Sequence, residues 1–158
     1  MAFPPDTPTS ADLDAAGLED VRRAWAAVAN VIVGFEPVTM VVAPADADTA
    51  RRLLDDRVDL LPARLDDAWM RDIGPTFVRE DSGRLAAVDW VFNGWGAQSW
   101  SRWGDDAQIA TVVAGAAGTP VIASPLVNEG GGIHVDGRGT VLVTETVQLD
   151  PGRNPGAT

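Results

Sequence analysis

Thr76-Phe77-Val78, then Asp81-Ser82-Gly83, then Leu85-Ala86-Ala87-Val88-Asp89-Trp90 is the stretch from which the fold is read. Two runs rich in β-branched and aromatic residues flank a short polar reversal, the pattern of a β-hairpin. The loop ahead of it carries an acid, Asp72, beside Gly74-Pro75. Further upstream, Val38-Thr39-Met40-Val41-Val42 reads as a strand, Asp46 or Asp48 as the cap of a helix reaching Arg57, and Val58-Asp59-Leu60-Leu61 as a second strand. Downstream the order returns. A helix capped near Asp105 leads to the short strand Val121-Ile122, a polar loop with Glu129, and a hairpin from Gly132 to Glu145 around Asp136-Gly137-Arg138-Gly139.

An α/β fold built from repeated supersecondary units follows from this order, which runs from Val38 to Trp90 and again from Asp105 to Glu145. A chance succession of strands and helices would look similar, and two units leave that alternative open. Repeats bury their apolar faces on their neighbours, and about three are normally needed for stability. Two units and an opening helix are therefore expected to leave core-facing surface uncovered. The tail Pro151-Gly152-Arg153-Asn154-Pro155-Gly156 reads as a loop, and the chain is expected to stop within the fold. The opening helix is expected from a Ser10 cap to about Asn30, with Leu18, Val21, Trp25 and Val28 on one face. No Gly/Ser or Pro-rich linker interrupts residues 1–158, which are read as one domain or part of one.

Composition narrows the function. With 46% hydrophobic and 22% charged residues in 158, the chain reads as globular. The formal charge is −11, and all 12 bases are arginine. That balance argues against nucleic acid as a partner and suits a cationic ligand. No apolar run approaches the ~20 residues of a membrane span. Met1-Ala2-Phe3-Pro4-Pro5 has no basic n-region, so the chain as written is expected in the cytoplasm. The absence of cysteine removes disulfides, thiolate metal sites and a cysteine nucleophile from these residues, and one histidine makes no metal cluster.

Two loops carry candidate chemistry. Asp66-Asp67-Ala68-Trp69-Met70-Arg71-Asp72-Ile73-Gly74-Pro75 combines acids with an indole. A carboxylate can take paired N–H bonds from a guanidinium while an aromatic face covers its plane. The plainer reading is a surface loop whose Arg71 pairs with a neighbouring acid, and residue types alone favour it. The second loop is Asn128-Glu129-Gly130-Gly131-Gly132-Ile133-His134-Val135-Asp136-Gly137. Its glycines allow a close backbone approach or a sharp turn. They precede a strand and lack the lysine of a phosphate loop. If the segment is extended, His134 and Asp136 share a face and could exchange protons, although a solvated His beside a turn Asp is the commoner meaning of this spacing. Trp25 and Trp90 fall on core patterns. Trp95, Trp100 and Trp103 lie in a glycine-bearing loop, where they either meet a ligand or partner or seal an interface with further repeats.

Four motifs in order carry a resemblance over nearly the whole chain: Asp67-Ala68-Trp69-Met70-Arg71-Asp72-Ile73-Gly74-Pro75-Thr76-Phe77-Val78, Val88-Asp89-Trp90-Val91-Phe92-Asn93-Gly94-Trp95-Gly96, Glu129-Gly130-Gly131-Gly132-Ile133-His134-Val135-Asp136-Gly137, and Thr144-Glu145 with Gly152-Arg153-Asn154-Pro155. Together they resemble agmatine deiminases and the related bacterial peptidylarginine deiminases. The resemblance implies part of a five-bladed pentein α/β propeller, about two blades of it, with residues 1–158 a partial catalytic domain clipped at both ends. It implies hydrolysis of agmatine to N-carbamoylputrescine and ammonia on the route to putrescine, through a covalent amidino-thioether and without metal or organic cofactor. Asp72 then matches an acid that grips the guanidinium, Glu129 a second acid of the site, and Trp69 a pocket wall. The nucleophilic cysteine and the proton-shuttling histidine are expected beyond Thr158, with His134-Val135-Asp136 an earlier echo of the shuttle motif. No catalytic set is complete in this chain, which alone is expected to be inactive. The partner implied is a small guanidino cation, with homo-oligomerisation of the full-length protein left open. Protein arginine is the alternative substrate, and a non-catalytic guanidino- or polyamine-binding module is the alternative class.

Overall fold

A computed structural model describes all residues except Pro8, Ser10, Ala11, Asp12 and Thr158. These residues form two compact units, Met1–Met70 and Arg71–Thr158.

The first unit begins with helix α1 (Ala15–Ile32). The expected cap, Ser10, lies outside the described residues; the cap is Asp14, whose Oδ1 accepts the Gly17 N–H at 2.7 Å. The expected face is buried or half-buried at Leu18, Val21 and Trp25 and departs only at Val28. Leu18, Ala26 and Ala29 are buried, Trp25 is half-buried, and Val28 is 51% exposed. Small alanines, rather than the bulkier Val28, allow the helix to approach the sheet closely. Strand β1 (Thr39–Val42) runs parallel to β2 (Asp59–Pro62), with Met40 opposite Leu60. The crossover between them is a 3₁₀ turn at Pro44–Asp46 and helix α2 (Ala47–Leu53).

The expectation that α2 reaches Arg57 is corrected: Leu54 is already extended, and the Arg57 side chain turns back onto Asp55 at 2.9 Å. Asp46 makes no side-chain cap; its carboxylate takes Arg22 at 2.6 Å instead. Ala2 bridges to Val41 beside β1. Phe3, Ala26, Ala29, Val38, Met40, Val42, Ala50, Leu54 and Val58 make the core of this unit. Each large apolar side chain fully buried there contributes roughly 1.5–3 kcal/mol.

The second unit contains the expected hairpin, β3 (Thr76–Arg79) and β4 (Leu85–Val91), antiparallel with Thr76 opposite Val88. Asp105 was expected to cap the next helix, but it makes no side-chain cap bond. A 3₁₀ turn at Asp106–Gln108 leads into α5 (Ile109–Ala116), with the single turns α3 (Met70–Ile73) and α4 (Gly94–Ala97) ahead of it. Strand β5 is longer than expected, Val121–Val127, and pairs parallel with β4. Pro125 is tolerated because β5 is an edge strand and its register with β4 shifts near Asp89 and Val91. The sheet order β3-β4-β5 therefore joins the first hairpin to the helix and strand that follow it, a unit of two antiparallel strands, a helix and a parallel strand. The repeat frame anticipated from residue order, with each hairpin closing a unit, is thereby shifted.

The second hairpin is β6 (Ile133–Val135) with β7 (Val141–Val143), antiparallel, and Glu145 opens the helical turn α6 (Glu145–Gln148) rather than ending a strand. Among the described residues the sheets have two, three and two strands, and none closes on itself. Phe77, Ile122, Val135, Val141, Leu142 and Val143 are all 45% or more exposed, so the strands of this unit carry apolar surface that it does not cover itself. No described helix is long and apolar enough to cross a membrane.

Candidate functional site

Asp72 sits on α3 with its carboxylate held at both oxygens. Oδ1 accepts the Gly131 N–H at 2.9 Å, and Oδ2 accepts the Trp95 indole N–H at 3.1 Å. The first bond explains why residue 131 is glycine, since a Cβ there would overlap Oδ1 of Asp72. The glycine run thus serves a close approach to protein groups, where the sequence left open a ligand or a turn. A carboxylate has about four acceptor positions, so two directions remain for a further donor.

Glu129 begins the same segment and is 6% exposed. Both its oxygens accept from Nη1 of Arg153, at 2.8 and 2.7 Å. Arg153 is presented by a turn that Asp150 organises, with Oδ1 accepting the Gly152 and Arg153 N–H groups at 2.7 and 3.0 Å. The buried Asn154 locks that turn to β5 and α6 through bonds to the backbone of Val127, Val147 and Gln148. Burying both charges is tolerable because each neutralises the other. Asp72 and Glu129 are thus gathered on one glycine segment, Asp72 bonded to Gly131 and Glu129 two residues before it.

Trp95, read from the sequence as a ligand or partner contact or an interface seal, bonds Asp72 instead. Phe92 meets it edge-on with ring centres 5.1 Å apart, and Trp100 stacks on it at 5.6 Å. Arg153 had no signal beyond its place in a motif, because its partner lies 24 positions away. Trp69 belongs to the first unit, where it is 50% exposed and meets Trp25 edge-on at 5.9 Å. Both rings line a cavity of about 260 Å³ with Pro4, Pro5, Leu18 and Asp67. Burial pushes the Asp67 carboxyl above its ordinary range, against the lowering effects of the Ala68 N–H and the Trp69 side chain.

His134 is exposed on β6, and Asp136 lies past the end of that strand. Asp136 Oδ1 accepts the Arg138 and Thr140 N–H groups at 2.7 and 3.2 Å, which holds its carboxyl below the ordinary range. The pair follows the commoner meaning of its spacing, an exposed His134 beside an Asp136 that organises the hairpin turn. Among the described residues, no group of three or more His, Cys, Asp or Glu is placed to hold a metal ion.

Over residues 1–158 the chain matches the family of Porphyromonas-type peptidyl-arginine deiminases. A Streptomyces coelicolor protein that bears an agmatine deiminase name is 63% identical over 156 residues, covering 99% of this chain and 45% of that protein. A Streptomyces avermitilis protein with the same name is 58% identical over 158 residues, covering 100% of this chain and 45% of the relative. Among solved structures, the agmatine deiminase of Enterococcus faecalis matches with a TM-score of 0.88 at 34% identity, over 100% of this chain and 43% of that one. The chain spans less than half the length of these relatives and shares their mixed α/β fold.

Proposed function

The chain belongs to the Porphyromonas-type peptidyl-arginine deiminase family, and from that premise we propose that it supplies the cation-binding wall of a guanidine-hydrolysing enzyme of agmatine deiminase type. The observation that carries the reading is the pair of anchored acids. Asp72 is held by Trp95 and Gly131, and Glu129 is held by Arg153 on the same glycine segment. A guanidinium offers planar, paired N–H donors, and fixed carboxylates recognise it with directional, charge-assisted bonds. In this proposal Asp72 receives the substrate cation through its remaining acceptor positions, and Glu129, its charge balanced by Arg153, is the second acid that lines the seat.

The reaction is hydrolysis of agmatine to N-carbamoylputrescine and ammonia, a step toward putrescine. A thiolate attacks the guanidinium carbon, ammonia leaves after protonation, and water releases the ureido product from sulfur. These residues contain no cysteine, so the sulfur comes from outside them, and the family resemblance assigns the proton-shuttling histidine there as well. The 45% share of the relatives' length supports that division. The propeller architecture is part of the same proposal, supported by the β3-β4-α5-β5 unit and by apolar strand surface left for neighbouring units to cover. Agmatine is preferred to protein arginine as substrate because the two Streptomyces relatives carry that name. A cytoplasmic setting is consistent with a small-molecule substrate.

Calorimetry on the 158-residue chain tests the reading with three probes: agmatine, putrescine and N-acetyl-arginine amide. Agmatine binding that Asp72→Ala abolishes is the expected result, and ammonia release from agmatine by the full-length protein, lost in Asp72→Ala, separates the enzyme from a non-catalytic binding module. Equal binding by wild type and Asp72→Ala would overturn it. Preference for the arginine amide would move the substrate to protein arginine.

A further inference from the structure

The turn α4 makes four successive residues left-handed: Gly94 at φ 65°, Trp95 at φ 59°, Gly96 at φ 95° and Ala97 at φ 57°. For a bulky residue such as tryptophan this conformation is strained and persists only where the surroundings enforce it. Several contacts do so. The Asn93 side chain accepts the Gly96 N–H at 2.9 Å, and the Asn93 carbonyl accepts the Ala97 N–H at 2.8 Å. Phe92 and Trp100 grip the Trp95 ring from the edge and the face.

What the strained turn achieves is visible at its two central residues. Trp95 aims its indole N–H at Asp72. Gly96 turns a bare face to the Arg153 guanidinium: a Cβ there would lie 3.0 Å from Nε and 3.1 Å from Nη2. That guanidinium is the group that holds Glu129. Adjacent residues of one turn therefore reach both acids, one directly and the other through Arg153. We propose that the Gly94–Ala97 turn is the positioning element of the site, with Trp95 setting the carboxylate plane of Asp72 and Gly96 providing the shelf on which Arg153 orients Glu129. The proposal rests on the assignment of Asp72 and Glu129 to a guanidinium seat and adds how their geometry is fixed. Neither Trp95 nor Gly96 is a catalytic residue; each acts through an acid.

The test uses the 158-residue chain, labelled with ¹⁵N, and agmatine as the probe. Trp95→Phe keeps the ring and removes the donor; Gly96→Ala keeps the turn's length and removes the shelf. Each is expected to weaken agmatine binding about tenfold, the effect of one misplaced hydrogen bond to a charged group. In an Asp72→Ala background, which removes the acceptor, Trp95→Phe is expected to cost no further stability in urea unfolding, and Arg153→Lys is expected to tolerate Gly96→Ala better than the native arginine does. Losses that simply add in both backgrounds would mark a general effect on packing and overturn the proposal. So would unchanged affinity in both single variants.

A second measurement needs no ligand. The Trp95 indole proton is expected to be slow to exchange with solvent and to lose that protection in Asp72→Ala. If wild type binds no agmatine, the guanidinium reading fails while retained protection and its loss in Asp72→Ala still support the positioning role. An indole proton indifferent to Asp72→Ala overturns the positioning role whatever binds.

Discussion

Arg153 Nη1 donates to both oxygens of Glu129, and the two side chains are only 12% and 8% exposed. A pair this dry has the opposite economy to a surface ion pair: neither charge is well solvated without the other. Arg153→Ala is therefore expected to destabilise the chain by about 3–5 kcal/mol, the cost of leaving a buried charge unpaired. Urea unfolding of the two proteins measures it. A loss under ~1 kcal/mol, the value of an exposed pair, would show that water reaches Glu129 freely.

Gly131 carries a separate prediction, because it touches Asp72 with both its N–H and its missing side chain. Gly131→Ala cannot keep that approach, since its Cβ would overlap Oδ1. The expected outcome is a loss of about 1–3 kcal/mol from overpacking, together with weaker agmatine binding. Gly137→Ala is the comparison: nothing lies within 4 Å of a Cβ there, and only its left-handed φ of 72° is at stake. Stability loss without any change in affinity is expected for that variant, and calorimetry on both reads the difference.

Asp67 makes stability depend on pH in an unusual direction. Burial raises its folded pKa above the unfolded value of 3.8. Its contribution is fully present below that unfolded value, where the group is protonated in both states, and is lost as pH rises through the raised folded value. Asp67→Asn removes the charge while its side-chain oxygen can still accept the Ala68 N–H, now made at 2.7 Å. The variant is expected to melt higher than wild type at pH 7, with the gap closing under acid. Thermal melts from pH 3 to pH 8 check it, and a lower melting temperature at neutral pH would contradict the assignment.

Asp14→Ala tests the start of α1. The Oδ1 bond to the Gly17 N–H is the side-chain cap of that helix, and its loss is expected to cost about 1 kcal/mol. Asp14→Ser, which can cap as well, is expected to recover most of the loss in the same denaturation experiment.

The parts of this fold that could be read from residue order are those written locally. Both hairpins are set by a short polar reversal between β-rich runs, and they form where expected at Asp81-Ser82-Gly83 and Asp136-Gly137. Strand β1 likewise follows from a β-branched run. The parallel pairing of β4 with β5 has no local signature, because it is made across α5, and the repeat frame was displaced for that reason. On α1 the expected face holds at Leu18, Val21 and Trp25 and fails at Val28, because Ala26 and Ala29 pack inward and bulk alone does not mark burial.

At the site, Asp72 and Glu129 could be picked out because each sits in a motif, but what holds them could not. Trp95 reaches Asp72 across 23 positions from a backbone conformation that an aromatic residue rarely adopts. Arg153 reaches Glu129 across 24 positions. Neither distance corresponds to a helical or strand period, so only the folded chain brings these partners together.

The central claim is that Asp72 and Glu129 form an anchored anionic seat for a guanidinium. A crystal of the 158-residue chain grown with agmatine measures this most directly. The account predicts guanidinium nitrogens within hydrogen-bond distance of an Asp72 carboxylate oxygen, with the Trp95 and Gly131 bonds to Asp72 intact. Agmatine ordered elsewhere, with Asp72 untouched, would contradict it.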